Sequence, residues 1–212
     1  MRQERVTRIM DPVRFGRPLL AAVLLVLSGG FCGVQAQNVT GLNPVEVAAD
    51  KLRPGLAVRY FFQDFKHVDA MPTGAAIAKD GRLGKPILQL HQRSSKGALF
   101  DSGANELFGM HITGLIRLER AGDYVFVAKS NDGVRVQLGD KRIIDDPEVH
   151  ADRFSIPTTV KIVKPGWYPL TVQYFQRKFT AALELHWQAP GENEFSPVPA
   201  EVFRHVPDGA TK

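Results

Sequence analysis

Between residues 181 and 187 apolar and polar positions alternate, with Ala181, Leu183, Leu185 and Trp187 on one side of a strand and Ala182, Glu184 and His186 on the other. Val134, Val136 and Leu138 set against Arg135 and Gln137 repeat the two-residue period, which turns Arg135 outward into solvent. Strands of this kind bury one face each and need a second sheet opposite, so the pattern predicts an all-β, antiparallel β-sandwich with Trp187 in its core. The run from Gly122 to Asp145 carries three such segments, separated by Asn131-Asp132-Gly133 and Gly139-Asp140. It predicts a β-meander with a polar tip. Residues 64–106 are broken by Met71-Pro72-Thr73-Gly74, Gly81, Gly84 and Lys85-Pro86 into loops around one strand at 87–92. An insertion of this length either shapes a binding surface or varies freely. No long helical period appears.

The first 36 residues follow a different rule. Five arginines precede an unbroken apolar stretch from Leu19 to Leu27, and Val34-Gln35-Ala36 supplies small residues before Gln37. This is the layout of a signal peptide and implies export to a periplasmic or extracellular location. The same stretch approaches the length of an uncleaved anchor, although Gly29, Gly30 and Gly33 weaken a spanning helix. With the leader removed no membrane span is expected. Residues 37–53 read as a polar tether, 54–205 as the folded domain and 206–212 as a tail.

Removing the leader also changes the charge. Of 27 basic and 22 acidic residues it holds five and two, so the remainder carries only +2. Without a basic patch interleaved with aromatics, nucleic acid is not an expected partner. The single cysteine, Cys32, leaves with the leader, which excludes disulfides and thiolate chemistry from the mature chain.

Candidate chemistry is sparse. Histidines at 67, 91, 111, 150, 186 and 205 never recur at i+2 or i+4, so they read as lone surface residues and not as a zinc set. Asp145 and Asp146 are adjacent in a strand and point to opposite faces, which suits a turn better than a catalytic pair. Trp167, after Pro165-Gly166, fits either edge packing or a sugar-stacking platform. Neither a nucleophile elbow nor a phosphate loop is present, and no enzymatic activity is expected.

The order of three motifs is more specific. Gly122-Asp123-Tyr124-Val125-Phe126, then Ser130-Asn131-Asp132-Gly133-Val134-Arg135, then Ile143-Ile144-Asp145 resembles the protective-antigen-type (PA-fourteen) domain family. Gly55 to Phe61, Phe108 to Ile116, Gly166 to Phe175 and Ala181 to Trp187 resemble its other strands in order. The resemblance independently implies the sandwich. It also implies a calcium ion in the sugar-binding members, held by two adjacent acids aligned with Asn131-Asp132 and by an asparagine aligned with Gln176, where calcium bridges to sugar hydroxyls. Asn131 lacks the first charge and Gln176 is longer by a methylene, so a calcium site here is weakened, and a plain Asn-Asp-Gly turn accounts equally for the loop. The expected ligand-binding residues are Asn131, Asp132, Arg135 and Gln176, at a tip formed by residues 130–133 and 176–180. A glycan or envelope polysaccharide is the partner the resemblance implies. The alternative is a protein-interaction or envelope-scaffold module with a degenerate sugar site.

Overall fold

A computed structural model describes residues 37–207; the leader and most of the tail lie outside them. Five short strands come first: β1 (Gln37–Val39), β2 (Arg53–Pro54), β3 (Ala57–Phe61), β4 (Arg82–Leu83) and β5 (His91–Ser94). Then follow β6 (Phe108–Leu118), β7 (Gly122–Asn131), β8 (Val134–Leu138), β9 (Lys141–Asp146) and β10 (Arg153–Phe154). The chain closes with β11 (Thr158–Ile162), β12 (Gly166–Gln176), β13 (Ala181–Gln188), β14 (Ser196–Pro197) and β15 (Phe203–His205). No helix among the described residues is long and apolar enough to cross a membrane.

These strands make two sheets. One runs β1-β11-β7-β13-β14, with β10 added to β7 and β5 to β13; the other runs β2-β15-β6-β12-β8-β9, with β3 bridging β6 and β4. All pairings are antiparallel except β1 with β11. Between the sheets lies one large apolar cluster containing Tyr60, Phe108, Phe126, Tyr168, Tyr174 and Phe203, each at most 1% exposed. The predicted all-β sandwich is the observed architecture.

Four expectations change. Residues 37–45 are not a free tether: β1 extends the first sheet, Val39 and Leu42 are buried, and the Val45 N–H donates to the Trp167 carbonyl at 2.8 Å. Their polar composition hid two apolar anchors. The region 64–106 contains a short helix, α1 (Ala75–Asp80), and its strand is shifted to His91–Ser94. Tyr60 ties this insertion down by donating to Asp101 Oδ1 at 2.6 Å, while Asp101 Oδ2 accepts the Lys85 N–H at 2.8 Å. Trp187 is only partly buried, stacked obliquely on Tyr124 and Phe126 with centroids 5.4 and 6.2 Å away, because β13 reaches the sandwich rim there. Arg135 is not solvated, as described below.

The largest correction concerns the meander. β8 and β9 do form a hairpin, but β7 belongs to the opposite sheet. Residues 131–133 therefore form a corner that carries the chain between layers, not a hairpin tip. A hairpin tip leaves its polar groups to water, whereas a corner wedged between sheets must satisfy them internally.

His111, on β6 between Arg59 and Gln173, gives a pH signature. Burial, with the Arg59 charge as the second cause, holds its imidazole below the ordinary value of 6.5. The folded pKa thus lies below the unfolded one, so the unfolded chain binds more protons, and stability falls as pH drops below about 6.5. His111→Gln is expected to flatten this part of the stability profile in urea titrations. An unchanged slope would assign the loss to other groups.

Candidate ligand-binding site

Three inter-sheet corners meet at one end of the sandwich: 131–133 after β7, 147–152 after β9 and 177–180 after β12. Asp132 joins them. Its Oδ1 accepts the His150 N–H at 3.2 Å and its Oδ2 the Arg177 N–H at 2.8 Å, so one carboxylate holds a backbone donor from each of the other corners. The backbone adds a reciprocal pair, Asp132 N–H to the Phe175 carbonyl and Phe175 N–H to the Gly133 carbonyl, both 3.1 Å. Gly133 is required by space: a Cβ there would stand 2.7 Å from the Pro147 carbonyl oxygen and strike the Phe175 ring. The Asn131-Asp132 peptide bond is cis.

Burial follows from this wedge. Asn131 is 6%, Asp132 4% and Gln176 0% exposed. Burial raises the Asp132 carboxyl above the ordinary carboxylate value, and the Arg177 and His150 N–H groups only partly offset it. The Tyr174 hydroxyl donates to the Asn131 carbonyl at 2.5 Å and lies 3.1 Å from Gln176 Oε1. Gln176 Nε2 donates to the carbonyls of Lys178 and Thr180 at 3.0 and 3.1 Å. An amide flip would set oxygen against those carbonyls, so the orientation is fixed by its partners. Asn131 Nδ2 donates to Asp152 Oδ1 at 2.9 Å and to Thr180 Oγ1 at 3.0 Å.

Asn131, Asp132 and Gln176 do not fit the calcium ion the resemblance implies. Gln176 spends its side chain on the 178–180 turn and cannot offer its oxygen without breaking those bonds. Asn131 turns its donor end toward the neighbouring acid. Only Asp132 brings charge, and both of its oxygens already hold N–H groups. A hard cation needs six to eight oxygens, with carboxylates among them to balance its charge. Asn131, Asp132 and Gln176 thus converge as expected from the sequence, but as ties between corners.

Arg135 stands apart from them. It is 7% exposed, with Nε 2.7 Å from Asp145 Oδ1 and Nη1 2.6 Å from Asp69 Oδ1. The alternation placed it on the outer face correctly, but the Val68–Ala70 turn covers that face and converts a solvated arginine into an ion-paired one. Asp145 and Asp146 do point apart: Asp146 pairs with Arg153 and lies 3.3 Å from His150 Nε2.

Local sequence gave no sign of Asp152 or Glu106 at this end, whereas Thr180 lies in the expected 176–180 loop. Phe179 could have been found, as a large apolar residue in an otherwise polar loop. It is 79% exposed and has φ +70°, a left-handed conformation that is an outlier for a bulky side chain. Its N–H donates to Glu106 Oε1 at 2.9 Å, which holds the turn from the neighbouring segment. An aromatic face is thereby presented to solvent beside Thr180 and Asp152, whose hydroxyl and carboxylate are hydrogen-bonded at 3.2 Å.

This fold and its looped end define a two-sheet domain with a polar, aromatic-tipped surface formed by crossover loops. The profile of the PA14 domain matches residues 52–201. The chain belongs to the PA14 domain family. Among solved structures it is similar to the epithelial adhesin 9 A domain of Candida glabrata, described in complex with Galβ1-4GlcNAc, with a TM-score of 0.60 at 11% identity, covering 84% of this chain and 99% of that one. It is similar to the PA14 domain of the MpAFP antifreeze protein (TM-score 0.58, 14% identity, 79% and 100% covered). It is also similar to an anti-sigma factor domain-containing protein (TM-score 0.60, 16% identity), where it covers 74% of this chain but spans only half of that chain. No curated protein matches it in sequence.

Proposed function

We propose that this is an exported, non-enzymatic carbohydrate-binding module whose ligand contacts the outer rim of the three corners. The observation that carries this reading is Phe179, an exposed aromatic held in a left-handed backbone conformation beside hydrogen-bonding side chains. Aromatic faces pack against the apolar faces of pyranose rings, and neighbouring polar groups fix orientation. A backbone outlier kept at an exposed tip is better explained by presentation of the ring than by stability. Family membership supports the reading, since a sugar-binding PA14 domain from an RTX adhesin has the same fold (TM-score 0.51, 14% identity, 72% of this chain and 98% of that one). In this account Thr180 and Asp152 contact the ligand with Phe179, while Asn131, Asp132 and Gln176 hold the loops from behind. Recognition does not require calcium.

A glycan array probed with the mature protein tests this. Binding is expected to survive chelator and to fall about five- to hundredfold in Phe179→Ala, if a sugar face on the ring contributes about the 1–3 kcal/mol that a base stacked on an aromatic does. The melting temperature should not change, since that ring is almost fully exposed. Retained binding in Phe179→Ala would remove the ring from the site.

A second reading is favoured by a different surface. Val127, Phe154, Pro157, His186 and Phe195 line an apolar pocket of about 590 Å³ on the outer face of the first sheet. Phe154 and Phe195 are 54% and 45% exposed. Exposed apolar clusters mark protein contacts, so an array with no glycan hit would favour an envelope-scaffold module.

A further inference from the structure

On the outer face of the first sheet the fold assembles a set of ligating side chains that sequence spacing did not reveal. Glu184 of β13 lies directly across from His91 of β5, and His186 follows Glu184 by two residues on the same face. His186 Nε2 is 2.8 Å and His91 Nδ1 3.5 Å from the same carboxylate oxygen, Glu184 Oε2. One ligand atom from each of the three residues lies within 4.8 Å of the other two. Two donors about 2.0–2.1 Å from a tetrahedral zinc ion stand roughly 3.3 Å apart, and the observed separations bracket that value. The imidazole rings meet edge to face with centroids 5.6 Å apart, which keeps both nitrogens turned toward the carboxylate.

The surroundings support the carboxylate as a ligand. Glu184 is 1% exposed although it sits on an outer face. Arg93, on the same face of β5, makes a close contact with its Oε1 and a longer one, 3.2 Å, with Oε2. Its main hold on Oε1 fixes the carboxylate with Oε2 toward the histidines, the kind of outer partner that orients a metal ligand. His186 is packed by the edge of Phe154, with centroids 5.7 Å apart. The other charges flanking the three residues are Lys129, paired across the sheet with Glu184, and Asp152, 4.0 Å from the Lys129 ammonium.

We propose that His91, Glu184 and His186 form a binding site for a zinc-class divalent transition-metal ion. Two imidazoles and one carboxylate suit a borderline-soft cation and leave a fourth position for water or a ligand. The ion clips the four-residue strand β5 to the long strand β13. Arg93 and Lys129 repel the cation, so affinity falls below that of a closed structural site.

The test is titration of the mature protein with zinc chloride against a chromophoric chelator, together with melting curves. One equivalent of zinc is expected to bind. At about 100-fold excess over the dissociation constant it should raise the melting temperature by roughly 5–10 °C. His91→Ala and His186→Ala should each weaken binding at least tenfold and remove the shift. His91 is substantially exposed, so His91→Ala should melt near the native temperature without metal, which separates loss of the site from loss of fold. His67→Ala, at a distant histidine, should bind as the native protein does. Absence of zinc binding by the native protein, or binding that persists in a His91→Ala/His186→Ala double variant, overturns the proposal.

Discussion

Tyr174→Ala is expected to lower the unfolding free energy by about 3–5 kcal/mol, the range for truncating a fully buried aromatic. At about 2–4 °C per kcal/mol for a domain of this size, the melting temperature should fall by roughly 10 °C. The residue is 0% exposed, packs edge-on against Phe108 and sends its hydroxyl to the Asn131 carbonyl. Tyr174→Phe leaves the packing but removes the hydroxyl from both the Asn131 carbonyl and Gln176 Oε1, at a cost of about 1–2 kcal/mol. Trp187→Ala, by contrast, should cost only about 1–2 kcal/mol, because its indole is partly exposed and less apolar area returns to water. Urea denaturation of the three variants checks the order. A Trp187 effect as large as that of Tyr174 would place Trp187 in the core after all.

The second large effect is expected at Asp132. Asp132→Ala leaves the His150 and Arg177 N–H groups without their acceptor at a buried corner, and hydrogen bonds to a charged group contribute about 1.5–3 kcal/mol each. Part of this is returned, since the carboxylate no longer has to be buried as an ion. A net loss of about 2–4 kcal/mol follows, equal in calcium and in chelator. The native protein should give no heat of binding at millimolar calcium, and Asn131→Asp should be equally silent. Calcium-dependent stability, or a heat that appears in Asn131→Asp, would restore the metal reading. The pH dependence has a definite sign. With its folded pKa raised by burial, Asp132 contributes stability that is full below the unfolded pKa and lost as pH rises through the folded one. Acid unfolding is instead driven by groups held low. In Asp64 and Asp69 hydrogen bonds from Arg177 and Arg135 lower the carboxyl, while in Glu184 burial raises it and the bonds from Arg93 and His186 outweigh that. Their contribution is present above the unfolded carboxylate range and lost as pH falls below it.

The strands themselves were legible in the sequence. A two-residue period is a property of the backbone pleat, so Val134 to Leu138 and Ala181 to Trp187 announced which side chains share a face without reference to any partner. The same local chemistry placed a break at Asn131-Asp132-Gly133. Which sheet each strand joins is a long-range pairing, and it alone turned that break from a hairpin tip into a buried corner. Once buried, the polar groups of Asn131, Asp132 and Gln176 had to find partners inside the protein, and this decided that they tie loops together instead of facing outward. The cover over Arg135 came from Val68–Ala70, far away in the chain, so no reading of the strand period could have foreseen it. His91 and His186 make the same point. Glu184 and His186 stood two residues apart in plain view, but only the pairing of β5 with β13 brought a second imidazole to the carboxylate, because ligand geometry is fixed by strand register and not by spacing along the chain.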